Sequence, residues 1–367
     1  MTTNLKQPAA PDAAWQAEVR AGVRHVRDLA SLPLSAAERA VMQEAAAAHK
    51  VRVPKPYLDL IDWGDANDPI RAQVIPSPGE LVATEGELDD PIGDHAFSPV
   101  PRLTHRHADR VLLFPTYQCA VYCRFCFRKE SLTSIGRGYT SEALEPALVY
   151  IAGHPEIREV ILTGGDPLSL PDNALAEIRA RLEAIPHLRL LRIHTRVPVV
   201  LPSRITSGLV EALQGRLMVT VVTHFNHPRE LTPAAEAACR AMRQAGFVLL
   251  NQSVLLKGVN DRIEVLEELC RELMYRLGVK PYYLHHGDLA RGMAHRRTTI
   301  AEGQALVAEL RRRLSAICNP TYVIDLPEGG GKVPLASSHI EGCEDGTWRI
   351  RGQDGKARSY REVVADC

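Results

Sequence analysis

The sequence lacks several features that would assign it to a broad class of protein. Its 44 Lys and Arg residues balance its 44 Asp and Glu residues, so net charge gives no indication of a nucleic acid or a membrane surface as partner. No run of about 18 apolar residues is present, which argues against a transmembrane helix. The first twelve residues are polar and rich in Pro and Ala, and they resemble neither a signal peptide nor a transit peptide.

A complete set of metal-binding cysteines is also missing. Only Cys119, Cys123 and Cys126 lie close together, in a C-x3-C-x2-C loop that follows an apolar run. A structural zinc site requires four ligands, and a disulfide framework is not expected in a chain of this length without a secretory signal. Three thiolates can hold three irons of a [4Fe–4S] cluster and leave the fourth iron open to an exogenous molecule. The loop therefore predicts a catalytic cluster, which fits a reducing cytoplasm.

From residue 110 onward, short apolar runs alternate with helical patterns, which indicates parallel βα units. Six runs are candidate strands: Val111–Thr116, Glu159–Thr163, Leu188–His194, Leu217–Thr223, Phe247–Val254 and Pro281–His285. Six units favour a partial (β/α)6 barrel in an α/β protein, with an open doubly wound sheet as the alternative. A further short strand is predicted at Tyr322–Leu326. Near the start of the chain, Ser35 and Glu38 form a candidate helix capping box.

These patterns predict four parts of the chain. They are a disordered tail (1–12), an N-terminal helical and irregular cap (13–105), the barrel core (106–320) and a short C-terminal segment (321–367). Polar residues follow the predicted strands at their carboxyl ends, where parallel barrels gather functional groups. We therefore expect one shared active site at that edge of the barrel.

A second chemical signal is the glycine run that precedes Lys332. A phosphate-binding P-loop is excluded, because Leu326 stands where the first glycine is required and Val333 follows the lysine. A flexible turn that presents one lysine suits a Schiff base with pyridoxal phosphate, an aldehyde cofactor. Taken alone, such a lysine is more typical of a solvated turn than of a cofactor site.

Taken together, these motifs resemble the lysine 2,3-aminomutase family, a radical S-adenosylmethionine family that also uses pyridoxal phosphate. The resemblance covers about residues 100–340 and is carried by the cysteine loop and by a series of further segments. These are Asp109–Val111, Gly164–Asp166, Arg196–Pro202, Thr223–Pro228, Asn251–Asp261, Pro281–Tyr283 and Gly329–Lys332. It implies the radical barrel fold and an isomerase that converts L-lysine to β-lysine, in which a 5′-deoxyadenosyl radical abstracts hydrogen and nitrogen moves from C2 to C3.

The resemblance also implies a role for each residue at a matching position. Lys332 would carry pyridoxal phosphate, and Arg110 would contact its phosphate. Arg128 would clamp the substrate carboxylate, for which a guanidinium fork is better suited than an ammonium group. Asp288 and Asp325 would hold a distal ammonium group, which makes lysine the expected substrate. The residues expected to contact S-adenosylmethionine are Gly164, Gly165, Asp166, Gln252 and Phe125.

The sequence departs from the longer aminomutases near its C-terminus. Only Cys343 and Cys367 lie in the tail, and Arg262 stands where those enzymes have a cysteine, so zinc is not expected. The short chain resembles bacterial relatives that make β-lysine for elongation factor P, but Asp325 and the Gly-Gly-Gly-Lys332 loop keep the form of the free-lysine enzymes. We favour free lysine, with arginine or ornithine as open alternatives. A glutamate enzyme would need a cation in the distal pocket.

The expected partners are a small amino acid and a flavodoxin-like or ferredoxin-like electron donor. Neither a nucleic acid nor a membrane is expected, and a homo-oligomer is left open. Two other classes of function remain. An iron–sulfur electron carrier would need a fourth ligand and would have no use for Lys332, and a radical methylase would leave Lys332 as a surface residue. A pyridoxal absorption band that disappears in a Lys332→Ala variant would discriminate against both.

Overall fold

Nine strands form a single sheet in which each strand pairs with the next one along the chain. The computed structural model describes residues 13–129, 139–336, 339–345, 347–352 and 355–361, so the tail predicted at residues 1–12 lies outside the described residues. The strands are β1 (Leu103–His107), β2 (Arg110–Thr116), β3 (Glu159–Gly164), β4 (Leu190–His194), β5 (Met218–Thr223), β6 (Val248–Val254), β7 (Lys280–His285), β8 (Thr321–Leu326) and β9 (Gly331–Pro334).

The strand order confirms the barrel-type prediction and excludes the doubly wound alternative. Strands β2 to β8 are all parallel and adjacent in chain order, whereas β1 and β9 pair antiparallel at the two edges. A doubly wound sheet would reverse its order at a switch point. The six predicted strands correspond to β2 to β7, and the further short strand corresponds to β8. The sheet is a curled half-barrel of the kind expected for a partial (β/α)6 barrel.

Helices cover the outside of this sheet and build the N-terminal cap. They are α1 (Ala13–Ala21), α2 (Ala36–Ala48), α3 (Lys55–Leu58), α4 (Arg71–Val74), α5 (Glu145–Ala152), α6 (Asp172–Glu183), α7 (Val197–Val200), α8 (Ser207–Leu213), α9 (Pro233–Gln244), α10 (Ile263–Glu272) and α11 (Ile300–Arg313). Within the part of the chain that the structure describes, no helix is long and apolar enough to cross a membrane.

Buried apolar residues hold the sheet and the helices that cover it together. In β3, Val160, Ile161 and Leu162 are all buried, as expected for a parallel strand covered on both faces. Helix α6 buries one stripe, which includes Leu175 and Ile178, against the sheet. Burying one Leu or Ile side chain completely contributes about 1.5–3 kcal/mol to the free energy of folding. The barrel therefore supplies a rigid frame for the residues at its rim.

The N-terminal cap is tied to the barrel rather than separate from it. The predicted capping box begins α2: the Ser35 hydroxyl accepts a hydrogen bond from Glu38 N at 3.2 Å, and Glu38 accepts one from Ser35 N at 2.9 Å. Helix α2 leads into an irregular segment, in which Arg52 and Gln73 reach the cysteine loop. A small antiparallel sheet, β10 (Ile340–Glu344), β11 (Thr347–Arg351) and β12 (Ala357–Arg361), lies near the end of the chain.

Candidate active site

The three predicted cluster ligands lie on one loop that leaves the carboxyl end of β2. Cys119, Cys123 and Cys126 are all free and half-buried. Burial raises the pKa of the Cys119 thiol well above its usual range, and the charges of Cys126 and Cys123 raise it further. Burial likewise raises the pKa of Cys126 to about 11. The three thiols are therefore close enough to interact electrostatically, within a shielded environment that favours binding of a metal cluster over free thiolates.

A single metal ion does not fit this arrangement. Among the described residues, no three His, Cys, Asp or Glu side chains converge as the ligands of one ion would. A [4Fe–4S] cluster places different requirements on the loop, because each cysteine binds a different iron and the sulfur atoms lie apart. The donor set, which consists of thiolates only, is the set that such a cluster takes. The loop thus fits a cluster and not a mononuclear site.

The N-terminal cap fixes the backbone of the cysteine loop. Arg52 Nη1 donates a hydrogen bond to the carbonyl oxygen of Cys119 at 3.0 Å. The backbone N–H of Arg124 donates to the carbonyl oxygen of Gln73 at 2.9 Å. The Arg124 side chain pairs with Glu80, and both groups are buried. Such a buried and hydrogen-bonded ion pair restricts the loop to one geometry.

Arg196, which follows β4, joins the loop to the barrel. Its Nη1 donates a hydrogen bond to Cys123 Sγ at 2.9 Å. Its Nη2 donates to Tyr57 Oη and to Glu230 Oε1, both at 2.8 Å. The guanidinium also lies 5.1 Å from the centre of the Phe125 ring. The sequence placed Arg196 in a motif without giving it a role, whereas the structure makes it the link between one cysteine, one aromatic ring and a buried carboxylate.

The Gly164-Gly165-Asp166 motif brings the end of β3 against the same loop. Gly164 has φ +99°, a conformation that favours glycine. A Cβ atom at Gly165 would lie 2.3 Å from the carbonyl oxygen of Gln118, so only glycine permits this approach. The Asp166 carboxylate accepts a hydrogen bond from Thr195 Oγ1 at 2.7 Å, and it is buried. The side chain of Asp166 therefore connects β3 to the segment after β4, and Gly165 lets the end of β3 approach the backbone of the cysteine loop closely.

Gln252 lies on β6, and Phe125 lies in the cysteine loop. In β6, half-buried residues alternate with buried ones, and Gln252 belongs to the half-buried set. It is paired in register with Tyr283 of β7. The Phe125 ring centre lies 5.2 Å from that of His224, which follows β5. The contact of these two residues with S-adenosylmethionine stays a prediction.

Lys332 lies at the centre of a polar group formed by the last strands of the sheet. In the hairpin of β8 and β9, it stands directly opposite Asp325. Its Nζ is 2.5 Å from Asp325 Oδ2 and 3.3 Å from His285 Nδ1. The Tyr283 ring centre lies 5.3 Å from the same nitrogen. The predicted cofactor lysine is therefore positioned inside the barrel rim and is not the solvated turn residue of the alternative interpretation.

The charges around Lys332 set the protonation of its neighbours. Burial raises the pKa of Asp325, but hydrogen bonds from His285 and Lys332 and their charges outweigh burial and hold that pKa well below its usual range. Burial lowers the pKa of His285, and the charge of Lys332 lowers it further. At neutral pH the group therefore consists of an anionic carboxylate, a neutral imidazole and the lysine amine.

Asp288 is the second predicted carboxylate, and it lies beyond the end of β7. Its Oδ1 is shielded from solvent and has no hydrogen-bond partner within the described ranges. Burial raises the pKa of Asp288 to about 7, with a further rise from the charge of Asp325, while Lys332 and Arg128 oppose the shift. The Asp325 charge thus acts on Asp288, and among the described residues Oδ1 of Asp288 has no hydrogen-bond donor. This is the arrangement expected of a site for a ligand ammonium group.

Arg128, the predicted carboxylate clamp, already holds a carboxylate. Its Nε and Nη2 donate hydrogen bonds to Asp94 Oδ2, at 3.1 and 2.6 Å. The guanidinium also lies 4.3 Å from the Phe127 ring centre. Asp94 belongs to the N-terminal cap and additionally pairs with Arg106 at 3.1 Å. The charge of Arg128 also lowers the pKa of Asp288, so Arg128 acts on that carboxylate through its charge.

Arg110, the predicted phosphate ligand, lies at the amino-terminal end of β2, whereas the cysteine loop follows the carboxyl end of that strand. It is the first residue of β2, and its Nη1 is 2.8 Å from Asp109 Oδ1. The other six residues of β2, or about 20 Å of chain at roughly 3.3 Å each, separate it from the start of the cysteine loop. Burial and its neighbour Tyr282 raise the pKa of Tyr283 to about 12, while the charges of Arg192 and Arg110 oppose this rise. Tyr283 is therefore near Arg110 on one side and near Lys332 on the other.

Three residues of this site had no role in the sequence-based prediction. They are His285, Asp94 and Arg196. The sequence shows His285 among the polar residues at strand ends, but its partner Lys332 is 47 residues away. Asp94 lies 34 residues from Arg128, in a segment without any regular pattern. Only the folded arrangement brings these pairs together.

Comparisons with known proteins agree with this geometry. Residues 113–270 match the model of the radical SAM superfamily. The chain is 39% identical to L-lysine 2,3-aminomutase from Clostridium subterminale, over 95% of this chain and 84% of that protein. It is 43% identical to a putative L-lysine 2,3-aminomutase from Aquifex aeolicus, over 78% of this chain and 77% of that protein. It is 34% identical to glutamate 2,3-aminomutase from Clostridioides difficile, over 91% of this chain and 79% of that protein. The cysteine loop, the lysine on β9 and these likenesses agree: this chain belongs to the lysine 2,3-aminomutase family of the radical S-adenosylmethionine superfamily.

Proposed function

We infer that this chain is an L-lysine 2,3-aminomutase, an isomerase that interconverts L-lysine and β-lysine. The observation that carries the choice of lysine is the pair of carboxylates at the distal end of the site. Asp288 has a shielded oxygen without a hydrogen-bond partner among the described residues, and it faces the charge of Asp325. An α-amino acid with a terminal ammonium group supplies the cation that this pair requires.

The family uses a [4Fe–4S] cluster, S-adenosylmethionine and pyridoxal phosphate. We assign the cluster to Cys119, Cys123 and Cys126, and pyridoxal phosphate to Lys332 and Arg110, with Tyr283 between these two ends. When bound, the cluster and S-adenosylmethionine supply a hydrogen-abstracting radical, and pyridoxal phosphate supplies a ring that delocalises the unpaired electron while nitrogen migrates. We place S-adenosylmethionine beside the cysteine loop, with Gly164, Gly165, Asp166, Gln252 and Phe125 around it.

The protein's own contribution is to hold the substrate at both ends. Arg128 would receive the α-carboxylate, for which its guanidinium offers a two-pronged donor; in this structure both prongs donate to one oxygen of Asp94. Asp288 and Asp325 would receive the ammonium at the other end. With both ends bound, the C2 and C3 atoms are held in one position, which converts binding energy into orientation of the reacting atoms.

Lys332 has a second effect on this arrangement. While its amine is free, its charge neutralises Asp325 at a distance of 2.5 Å. If Lys332 held pyridoxal phosphate through Nζ, Asp325 would lose this partner and could pair with the substrate ammonium instead. His285 Nδ1 lies 3.3 Å from both Lys332 Nζ and Asp325 Oδ2. A neutral imidazole that donates from Nδ1 to Asp325 adds no charge to this group, so its role is to position the carboxylate beside Lys332.

We propose free lysine as the physiological substrate, because the chain keeps Asp325 and the glycine loop before Lys332. We also propose a reducing compartment, such as the cytoplasm, in which the cluster and the free thiols persist. A one-electron donor of the flavodoxin or ferredoxin type would reduce the cluster.

A substrate panel tests this function. The protein, reconstituted with iron, sulfide, S-adenosylmethionine and pyridoxal phosphate and reduced under anaerobic conditions, is supplied with lysine, ornithine, arginine and glutamate. We expect lysine to give the highest kcat/KM and glutamate to give no product, because a carboxylate would meet two carboxylates. Preferential turnover of glutamate would contradict the assigned distal site. A Lys332→Ala variant is the control for product that forms without the cofactor lysine.

A further inference from the structure

A basic cleft of about 640 Å³ lies on the outer side of the cysteine loop. Eleven residues line it, and five of them are basic: Arg24, His25, Arg27, Lys50 and Arg52. The other six are uncharged, so among the described residues this lining contains no carboxylate. Because positive and negative residues balance exactly over the whole sequence, the cleft is a local excess of positive charge and not a reflection of overall composition.

Residues next to Cys119 in the cysteine loop form one wall of the cleft. Tyr117, Gln118 and Tyr122, which flank Cys119 in the sequence, line it together with the basic residues. The Arg52 guanidinium lies 5.5 Å from the Tyr122 ring centre, and Arg52 Nη1 donates to the carbonyl oxygen of Cys119 at 3.0 Å. A molecule seated in the cleft would therefore be separated from a cluster ligand by the backbone of this loop alone.

Three basic residues of the cleft lie at the protein surface. Arg24, Arg27 and Lys50 are exposed, and the Arg27 side chain is 81% exposed. The nearest carboxylate on this segment is Asp28, whose Oδ2 accepts hydrogen bonds from the backbone N–H groups of Arg24 and His25. Its Oδ1 is 3.9 Å from Arg27 Nε, and an exposed pair at that distance neutralises little of the arginine charge.

The site needs one electron delivered to the cluster, and the delivery must occur close to the cysteines. We propose that this cleft is the docking surface for an acidic one-electron carrier protein, an inference that rests on the proposed function. The carrier is oxidised by one electron and the cluster is reduced by one, with no bond formed between the two proteins. Complementary charge accelerates such encounters, and electron-transfer complexes use small interfaces of this kind.

Charge reversal tests this surface. In one variant Arg24→Glu, Arg27→Glu and Lys50→Glu are combined. The cluster-loaded protein is mixed anaerobically with a reduced flavodoxin or with dithionite, and the loss of cluster absorbance is followed by stopped flow. We expect reduction by flavodoxin to be about tenfold slower or more in the variant, with reduction by dithionite unchanged. Reduction of the unaltered protein by flavodoxin should also slow as salt increases.

A matched control reverses three exposed basic residues on the C-terminal sheet, in Arg349→Glu, Lys356→Glu and Arg358→Glu together. We expect this control to be reduced by flavodoxin at the rate of the unaltered protein. An equal loss in both triple variants, no loss in either, or an equal loss with flavodoxin and with dithionite would overturn the docking assignment. Conversion of lysine under dithionite is measured in parallel, so failure of the proposed function is seen separately from failure of the docking surface.

Discussion

Replacing Asp288 by asparagine removes one of the two anions that we assign to the substrate ammonium group. The variant keeps the size of the side chain, and Asp325 remains in its pair with Lys332. A hydrogen bond to a charged group contributes about 1.5–3 kcal/mol. At 1.4 kcal/mol for each factor of ten, the loss corresponds to a decrease in kcat/KM for lysine of about 10-fold to 150-fold. The distal contact is made in both the ground state and the transition state, so most of the decrease should appear as a higher KM.

The pH dependence of the same reaction gives a second readout. Burial, with the charge of Asp325, raises the pKa of Asp288 to about 7, so this carboxyl is neutral below that pH and anionic above it. The terminal ammonium of lysine stays charged throughout, since its pKa is about 10.4. The kcat/KM of the unaltered enzyme should therefore fall as pH decreases through about 7. In the Asp288→Asn variant this inflection should be absent.

Steady-state kinetics between pH 5.5 and 9 under anaerobic conditions measures both effects. An Asp59→Asn variant, at an exposed position in the N-terminal cap, controls for the loss of one charge from the chain. The reasoning is refuted if the Asp288→Asn variant keeps the KM of the unaltered enzyme, or if it keeps the inflection near pH 7. The second outcome would assign that inflection to a different group.

Three further substitutions test other parts of the site. Cys123→Ser should reduce the iron bound per chain and abolish reductive cleavage of S-adenosylmethionine, as measured by iron analysis and chromatography of the products. Lys332→Ala should abolish the pyridoxal absorption band while the iron content stays unchanged; a retained band would contradict the assignment of this lysine. Arg196→Gln leaves the buried Glu230 carboxylate without its cation, so urea denaturation should show a decrease of about 3–5 kcal/mol in the free energy of unfolding; an unchanged midpoint would show that the network contributes no stability.

Much of the fold was predictable from local sequence signals. The strands are continuous apolar runs, and their polar ends fix the edge at which functional groups collect. Parallel strands joined by helices follow one another in chain order, so the position of each run along the sequence also gives its position in the sheet. The cysteine loop after β2 and Lys332 on β9 could be identified for the same reason, because their signals are short and lie next to strand ends.

The side-chain contacts between distant parts of the chain at the site could not be predicted in this way. His285 contacts both Lys332 and Asp325 because β7 and β8 are neighbours in the sheet, a relation that no local pattern encodes. Asp94 meets Arg128 because the irregular N-terminal cap folds over the barrel rim. The local pattern at residues 90–97 gives no indication of a partner, since ion pairs depend on where the segment is held by the rest of the chain.

The most direct test of the central claim follows the migrating nitrogen. Lysine labelled with nitrogen-15 at the α-amine is incubated anaerobically with the reduced, fully reconstituted protein, and the product is examined by nuclear magnetic resonance. We predict β-lysine with the label on C3, formed only when both S-adenosylmethionine and pyridoxal phosphate are present and not formed by the Lys332→Ala variant. Recovery of lysine alone, with all of the label still on C2, while S-adenosylmethionine is cleaved in the same mixture, would contradict the account.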